Sequence, residues 1–320
     1  MTELSTIVGM LRAAGEGTRL RLLALLADGE HTVKDLTEIL GQSQPRISRH
    51  LKLLADADLI ERNAEGAWAR YRLAQGQGAE LANWLITRID SNDPDRMRDQ
   101  ARLDWVRAQQ QEQAAAYFAK VADSWDVLRK LHVPDSAVEA AMLDEFSRRQ
   151  VDLLLDLGTG TGRMLELLKD HYKRGVGIDS SREMLTVARA KLATAGIQHA
   201  QVRLGDIGHI DRSVGAADAV IIHQVLHYFD DPGRLLAEIR PVLKPNGEML
   251  IVDFAPHELE FLRAHHAHRR LGLSEGQVTA WAEAAGLEVG SLKTFPPADV
   301  EGLTVCLWRL SPEGTAQRSN

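Results

Sequence analysis

The chain has 320 residues, a formal net charge of −7 and one cysteine, Cys306. That length suits two domains, the acidic balance argues against a protein that coats nucleic acid over its whole surface, and a lone cysteine excludes a disulfide framework within the chain. No apolar run reaches the about 18 residues of a membrane span, and the opening MTELSTIVGMLRAAGEGTRL lacks the basic start and apolar block of a secretion signal, so no membrane contact and a cytoplasmic location are expected.

The first 75 residues hold ten Lys/Arg and ten Asp/Glu, so the acidic excess lies beyond them. A neutral module still binds DNA when its cations share one face. TRLRLLALLADG and TVKDLTEILG read as short helices that stop at Gly29 and Gly41. In SQPRISRHLKLLADAD, Ser43 can cap a helix and Pro45 suits its first turn. Ile47, Leu51 and Leu54 recur at helical spacing and form a stripe to bury. The other face shows Gln44, Arg46, Ser48, Arg49 and Lys52. Arg reads guanine and Gln reads adenine in a major groove, while Ser and Lys hold phosphates. LIERNAEGAWARYRLA alternates about Gly66 and reads as a two-stranded wing, with Trp68, Arg70 and Arg72 outward and Tyr71 and Leu73 inward.

Residues 79–133 are helical and polar, broken once at Pro94. Within them Tyr117 and Trp125 are candidates to cover a ligand. From residue 151 the pattern changes. VDLLLDLG, RGVGID, AQVRLGD, ADAVIIH and GEMLIVDF are short apolar runs with helical patterns between them, the sign of right-handed crossovers and a parallel sheet. LEVGSLKTF and GLTVCLWRL, joined by a short loop, are expected to pair antiparallel at an edge.

The first of these strands runs into Gly158, Gly160 and Gly162. A dinucleotide fingerprint wants glycine at 163, where Arg163 stands, and Asp156 beside the loop repels a pyrophosphate. S-adenosylmethionine (SAM) has no phosphate and carries a sulfonium and an ammonium, so a carboxylate helps it. Asp179 ends the second strand, placed to accept both ribose hydroxyls. Asp206 ends the third and can take the adenine amino group, with Ile207 and Met184 against the two faces of the ring. Beyond the fourth strand, His223, His227 and Tyr228 are the candidates to act on a methyl acceptor; His223 and His227 share a face if a helix begins there. Methyl transfer is chiefly positioning, so a base is optional. His257, His265, His266 and His268 adjoin Arg269 and Arg270; the stretch reads as a basic, solvated or substrate-facing helix whose arginines suit an acidic substrate, and no metal is expected.

RLLALLADGEHTVKDLTEILGQSQPRISRHLKLLADADLIERNAEGAWARYRL resembles the ArsR family of winged helix-turn-helix repressors. That resemblance implies a homodimer on a near-palindromic operator, dimerising through the first helix and the helix near 79–90. The family's metal ligands are missing: HTVKDL has no cysteine and ELANWLITRID no histidine, so no metal sensing is expected. Residues 117–290 resemble a class I SAM-dependent methyltransferase, through LLDLGTGTG, VGIDSSREMLTVAR, GDI and ADAVIIHQVLHYFDDPGRLLAEIRPVLKPNGEMLIVDF. It implies that Asp156, Gly158, Gly160, Asp179, Met184, Asp206, Ile207 and His223 line the SAM site.

The expected architecture is therefore multidomain. An N-terminal α+β winged helix-turn-helix spans 1–78, a helical dimerisation, linker and lid region spans 79–133, and an α/β Rossmann-like methyltransferase sheet with an antiparallel terminal strand pair spans 134–320. The expected function is transcriptional regulation joined to methylation of a small molecule. The alternative is a repressor that senses SAM or S-adenosylhomocysteine without transfer. DNA is not the expected acceptor: HQVLHYF lacks the Pro-Pro-Tyr type of tetrapeptide, and Cys306 lies far along the chain.

Overall fold

The computed structural model describes residues 3–65, 68–74, 76–121, 135–147, 151–297 and 302–314, which fall into two compact units, Met1–Gln113 and Ala114–Asn320. The boundary lies within the stretch read above as a linker.

The first unit builds helices α1 (Leu4–Ala14), α2 (Gly17–Ala27), α3 (Val33–Leu40) and α4 (Gln44–Ala55) around Leu22, Leu23, Leu36, Ile39, Leu51 and Leu54. Helix α3 starts with a reciprocal cap: Asp35 N–H donates to Thr32 Oγ1 (3.2 Å) and Thr32 N–H donates to Asp35 Oδ2 (2.9 Å). It ends at Gly41, whose φ of 63° is the left-handed turn expected from sequence. Ser43 stands at the start of α4 as predicted, but its hydroxyl makes no cap bond. Strands β2 (Ile60–Glu65) and β3 (Trp68–Leu73) form the hairpin, and the two-residue β1 (His31–Thr32) adds to the far edge of β3. Helices α5 (Gln77–Ile86) and α6 (Pro94–Val121) follow. Ala82, Ile86, Leu103 and Val106 join the same core, and α6 is tied down by Arg21–Asp99, held at 2.7 and 2.6 Å, and by Arg107–Asp28 at 2.9 Å.

The second unit holds a seven-stranded sheet of β4 (Val151–Leu157), β5 (Tyr172–Asp179), β6 (Ala200–Leu204), β7 (Ala217–His223), β8 (Leu243–Phe254), β9 (Leu287–Phe295) and β10 (Val305–Pro312) in the order β6-β5-β4-β7-β8-β10-β9. The five strands β4 to β8 are parallel. The terminal pair is antiparallel, as expected, but β10 inserts between β8 and β9 and leaves only β9 at the edge. Apolar side chains fill both faces: Leu153, Leu155 and Leu157 pack on one and Leu154 on the other. Strand order reverses between β4 and β7, and the crevice outside the carboxyl ends of such strands is where ligands bind in this architecture.

Candidate functional sites

On α4 the two faces separate as the spacing predicts. Ile47, Leu51 and Leu54 are fully buried, and Gln44, Arg46, Ser48, Arg49 and Lys52 are all exposed. The hairpin departs from expectation. Arg70 is buried, at 3% exposed, because β1 pairs along β3 and sets Thr32 opposite it. Arg72 is half-buried and donates to Glu61 Oε2 through Nε (3.0 Å) and Nη2 (2.8 Å), its partner in register across the hairpin. Neither arginine is the outward cation that simple alternation suggested. The Trp68 side chain lies outside the described residues.

In the second unit β4 ends in a loop of three left-handed glycines: Gly158, Gly160 and Gly162 have φ of 73°, 52° and 79°. A side chain at Gly158 would overlap the Val225 methyls, so this position needs glycine for space as well as for φ. The loop folds over Asp156, which is 1% exposed and accepts from Thr159 Oγ1 at 2.5 Å. Its charge therefore acts from beneath the loop. Asp179, half-buried at the tip of β5, accepts from Gly160 N–H at 2.8 Å and Ser181 N–H at 2.9 Å. Burial nevertheless holds its pKa above the ordinary carboxylate value, against the pull of those bonds. Asp206 is exposed beyond β6 and accepts from Gly208 N–H at 2.8 Å. Met184 and Ile207 are 2% and 6% exposed. Both are built into the interior, so a ring entering the crevice meets only their margins, less than the stacking surfaces expected. Tyr117's side chain and the whole of Trp125 lie outside the described residues.

His223, half-buried, ends β7. Gln224 then adopts a left-handed φ of 56° and a short 3-10 turn covers Leu226–Tyr228, so no helix begins there and the shared face expected for His223 and His227 does not form. His227 instead points into the fold, 1% exposed. Its Nδ1 lies 2.7 Å from Asp253 Oδ1, and its backbone N–H donates to Asp253 Oδ2 at 3.2 Å. Asp253, on β8 and fully buried, is a functional candidate that the sequence reading missed; its signal was one more acid near a strand's carboxyl end. Rings enclose the imidazole: Tyr228 at 4.0 Å, His268 at 4.1 Å and Phe254 at 5.1 Å between centroids. Among the described residues the buried nitrogens His227 Nε2, His257 Nε2 and His268 Nδ1 have no hydrogen-bond partner.

The histidine-rich stretch is neither a long helix nor a solvated one. Helix covers only Phe261–His265, and Arg270 is fully buried, donating to Phe229 O (3.2 Å) and Asp230 O and lying over Trp281 at 4.9 Å. Arg269 faces Asp230 at 3.8 Å and Arg263 faces Glu260 at 3.2 Å. These arginines are matched within the chain, which removes the expected welcome for an acidic substrate. Among the described residues no group of three or more His, Cys, Asp or Glu is placed to hold a metal ion. Cys306 is buried and its thiol is pushed up to about 11, by burial first and then by Asp253, so it is no thiolate at neutral pH.

Burial also pushes His257 down to about 4 and lowers His268, so both imidazoles are neutral in the folded chain. On unfolding they regain the ordinary value of 6.5 and take up protons below it. Stability from this cluster is therefore complete above about 6.5 and falls as pH drops towards 4. We expect urea unfolding to show a loss of about 1–2 kcal/mol across that window from His257, less than the full shift because the ring is partly exposed to solvent, and His257→Asn to flatten the slope. An unchanged slope in that variant would remove His257 as its source.

A family model for bacterial regulatory proteins of the arsR family matches residues 16–62, and one described as a methyltransferase domain matches residues 155–251. The arsenical resistance operon repressor of Escherichia coli K12 is 41% identical over 84 residues, which are 26% of this chain and 68% of the repressor. The chain belongs to the arsR family. This arsR-family chain carries a methyltransferase domain in its second unit. A demethylmenaquinone methyltransferase of Thermus thermophilus is 31% identical over 151 residues, 43% of this chain and 64% of that enzyme. The chain spans about half the length of the curated relatives it matches. A solved SAM-dependent methyltransferase from Clostridium acetobutylicum, 15% identical, superposes with a TM-score of 0.51 over 61% of this chain and 98% of that one, and so shares its fold.

Proposed function

We infer that this protein is a transcriptional regulator that binds operator DNA through its first unit and binds SAM in its second, where it methylates a small molecule. The working form is a cytoplasmic homodimer on a near-palindromic operator, without metal sensing. Residues 1–78 bind DNA, 79–133 dimerise, link and cover the site, and 134–320 hold SAM. The observation that carries the reading is the carboxyl edge of the sheet. Asp179 ends β5 and Asp206 follows β6, the two strands on one side of β4 and its left-handed glycine loop, and among the described residues no arginine or lysine pairs with either. Such a crevice repels phosphate and suits a phosphate-free cation with hydroxyl and amino groups to satisfy. When bound, SAM supplies a methyl group already activated on sulfur. Asp179 takes the ribose, Gly158, Gly160 and Gly162 give the backbone room, Asp206 takes the adenine edge, and His223 and Tyr228 face the acceptor, with His227 buried beside Tyr228.

A second reading, a SAM or S-adenosylhomocysteine sensor, is favoured by one observation. Helix α6 runs unbroken from Pro94 to Val121, through the boundary between the units at Gln113. Both units lie on one chain, so ligand and DNA affinities can be linked through it. Calorimetric titration of the protein with SAM and with S-adenosylhomocysteine, alone and with its own promoter DNA, separates the readings. We expect both ligands to bind. Unchanged affinities on DNA support the enzyme, a several-fold change supports the sensor, and no binding of either ligand refutes both.

A further inference from the structure

We propose that His227 Nε2, oriented by Asp253, is the base that removes the proton from the hydroxyl of a planar, uncharged acceptor, a phenol or an enol. This rests on the methyl-transfer reading above and names its acceptor class.

The proton positions follow from the partners. Asp253 Oδ1 lies 2.7 Å from His227 Nδ1, so the carboxylate holds a ring proton there, and in that tautomer of the neutral ring the lone pair is on Nε2. Asp253 is itself fixed, fully buried and accepting from the backbone N–H groups of His227 (3.2 Å) and Phe254 (2.8 Å). Nε2 is buried and has no hydrogen-bond partner among the described residues, and a buried acceptor left unmet is costly enough that a ligand donor is the natural complement. Structural histidines in cores are normally satisfied at both nitrogens.

The surroundings specify the donor. Tyr228, His268 and Phe254 present rings to the imidazole, with Phe254 stacked on His268 at 5.8 Å and 17°, which suits a flat molecule. His257 and His268 are neutral by burial, and Arg263, Arg269 and Arg270 are each engaged with chain partners. A carboxylate or phosphate acceptor would find no free cation in this group, whereas a neutral hydroxyl finds a lone pair. Because Nε2 is screened from water in the free chain, the acceptor must displace one of the packed rings. Tyr228 is partly buried, whereas His268 and Phe254 are 8% and 6% exposed, so Tyr228 is the ring whose displacement exposes least of the core.

The chemistry balances. The acceptor O–H gives its proton to His227 Nε2 while its oxygen forms the new bond to the methyl carbon. The carbon–sulfur bond breaks with its electron pair staying on sulfur, which leaves as a neutral thioether. The imidazolium is held by Asp253 until solvent takes the proton.

The test uses the full chain and 4-nitrophenol, whose phenolate is coloured, with no methyl donor present. At a pH where the free probe is neutral, the wild-type protein should ionise the bound probe. His227→Gln should abolish the coloured form, and Asp253→Asn should move the ionisation up by about one pH unit or more, a shift that a merely structural aspartate would not cause. SAM affinity, measured by calorimetry on the same samples, should be unchanged in both variants. If Asp253→Asn fails to fold by circular dichroism, His227→Gln decides. Wild-type protein that binds SAM but produces no phenolate overturns this proposal and leaves methyl transfer standing. Wild-type protein that binds no SAM overturns the reading beneath it.

Discussion

Arg46→Ala combined with Arg49→Ala lowers affinity for operator DNA by about 100-fold or more, since each lost charge-assisted contact to a base edge or phosphate costs about 1–3 kcal/mol. Both guanidinium groups stand on the exposed face of α4, opposite a fully buried stripe, so their removal leaves the core untouched. The slope of affinity against salt concentration should also fall, by about one for each phosphate contact removed. Fluorescence anisotropy on promoter DNA across a salt series measures both. The hairpin provides the contrast. Arg72 already pairs with Glu61, so Arg72→Ala should cost less than about 1 kcal/mol in binding. If Arg72→Ala proves as harmful as the α4 pair, the hairpin reads DNA and α4 has been given too much of the work.

The difference between the two arginine sets shows what the sequence could convey. Helical periodicity on α4 names both faces at once, because Ile47, Leu51 and Leu54 can be buried only on one side. Alternation on β3 divides residues into two sets without saying which set meets the interior. That was decided by β1, two residues long and too short to carry a pattern, whose pairing buries Arg70. The sheet was legible for a similar reason: five apolar runs with helices between them admit few topologies. The insertion of β10 between β8 and β9 was not, because two antiparallel strands can be added to an edge in either order.

The site was legible where it depends on strand ends and obscure where it depends on the return of the chain. Asp156, Asp179 and Asp206 follow from three consecutive strands. Joining His227 to Asp253 needs a helix and a strand between them to fold back, and the left-handed Gln224 to turn the loop inward. A non-glycine residue in that conformation costs about 1–3 kcal/mol and persists where the surrounding fold requires it. Sequence spacing would set His223 and His227 on one face only if a helix began there. Tertiary pairing to a buried carboxylate prevailed.

Asp179→Ala should weaken SAM binding by about 100-fold or more, because a carboxylate accepting ribose hydroxyls provides charge-assisted bonds of about 1.5–3 kcal/mol each. The loss has two parts. In the function proposed above Asp179 receives the ribose, and its Oδ2 and Oδ1 also hold Gly160 N–H and Ser181 N–H, so the glycine loop loses its anchor as well. Asp179→Asn removes the charge facing the ribose and keeps one of the two anchoring bonds, because its single amide oxygen can accept one backbone N–H while its NH2 group faces the other donor. The free chain should respond differently. Burial raises the Asp179 pKa, so its ionised form opposes folding and neutralising it relieves that cost. That relief opposes the loss of one anchoring bond, so the asparagine variant should unfold within about 1 kcal/mol of wild type without ligand, yet gain little stability when SAM is added, where wild type gains several degrees. Thermal unfolding with and without SAM reads both quantities. DNA affinity, set by α4, should be the same in both proteins. If SAM stabilises the asparagine variant as well as wild type, Asp179 is a loop anchor alone and the ribose lies elsewhere along the sheet edge.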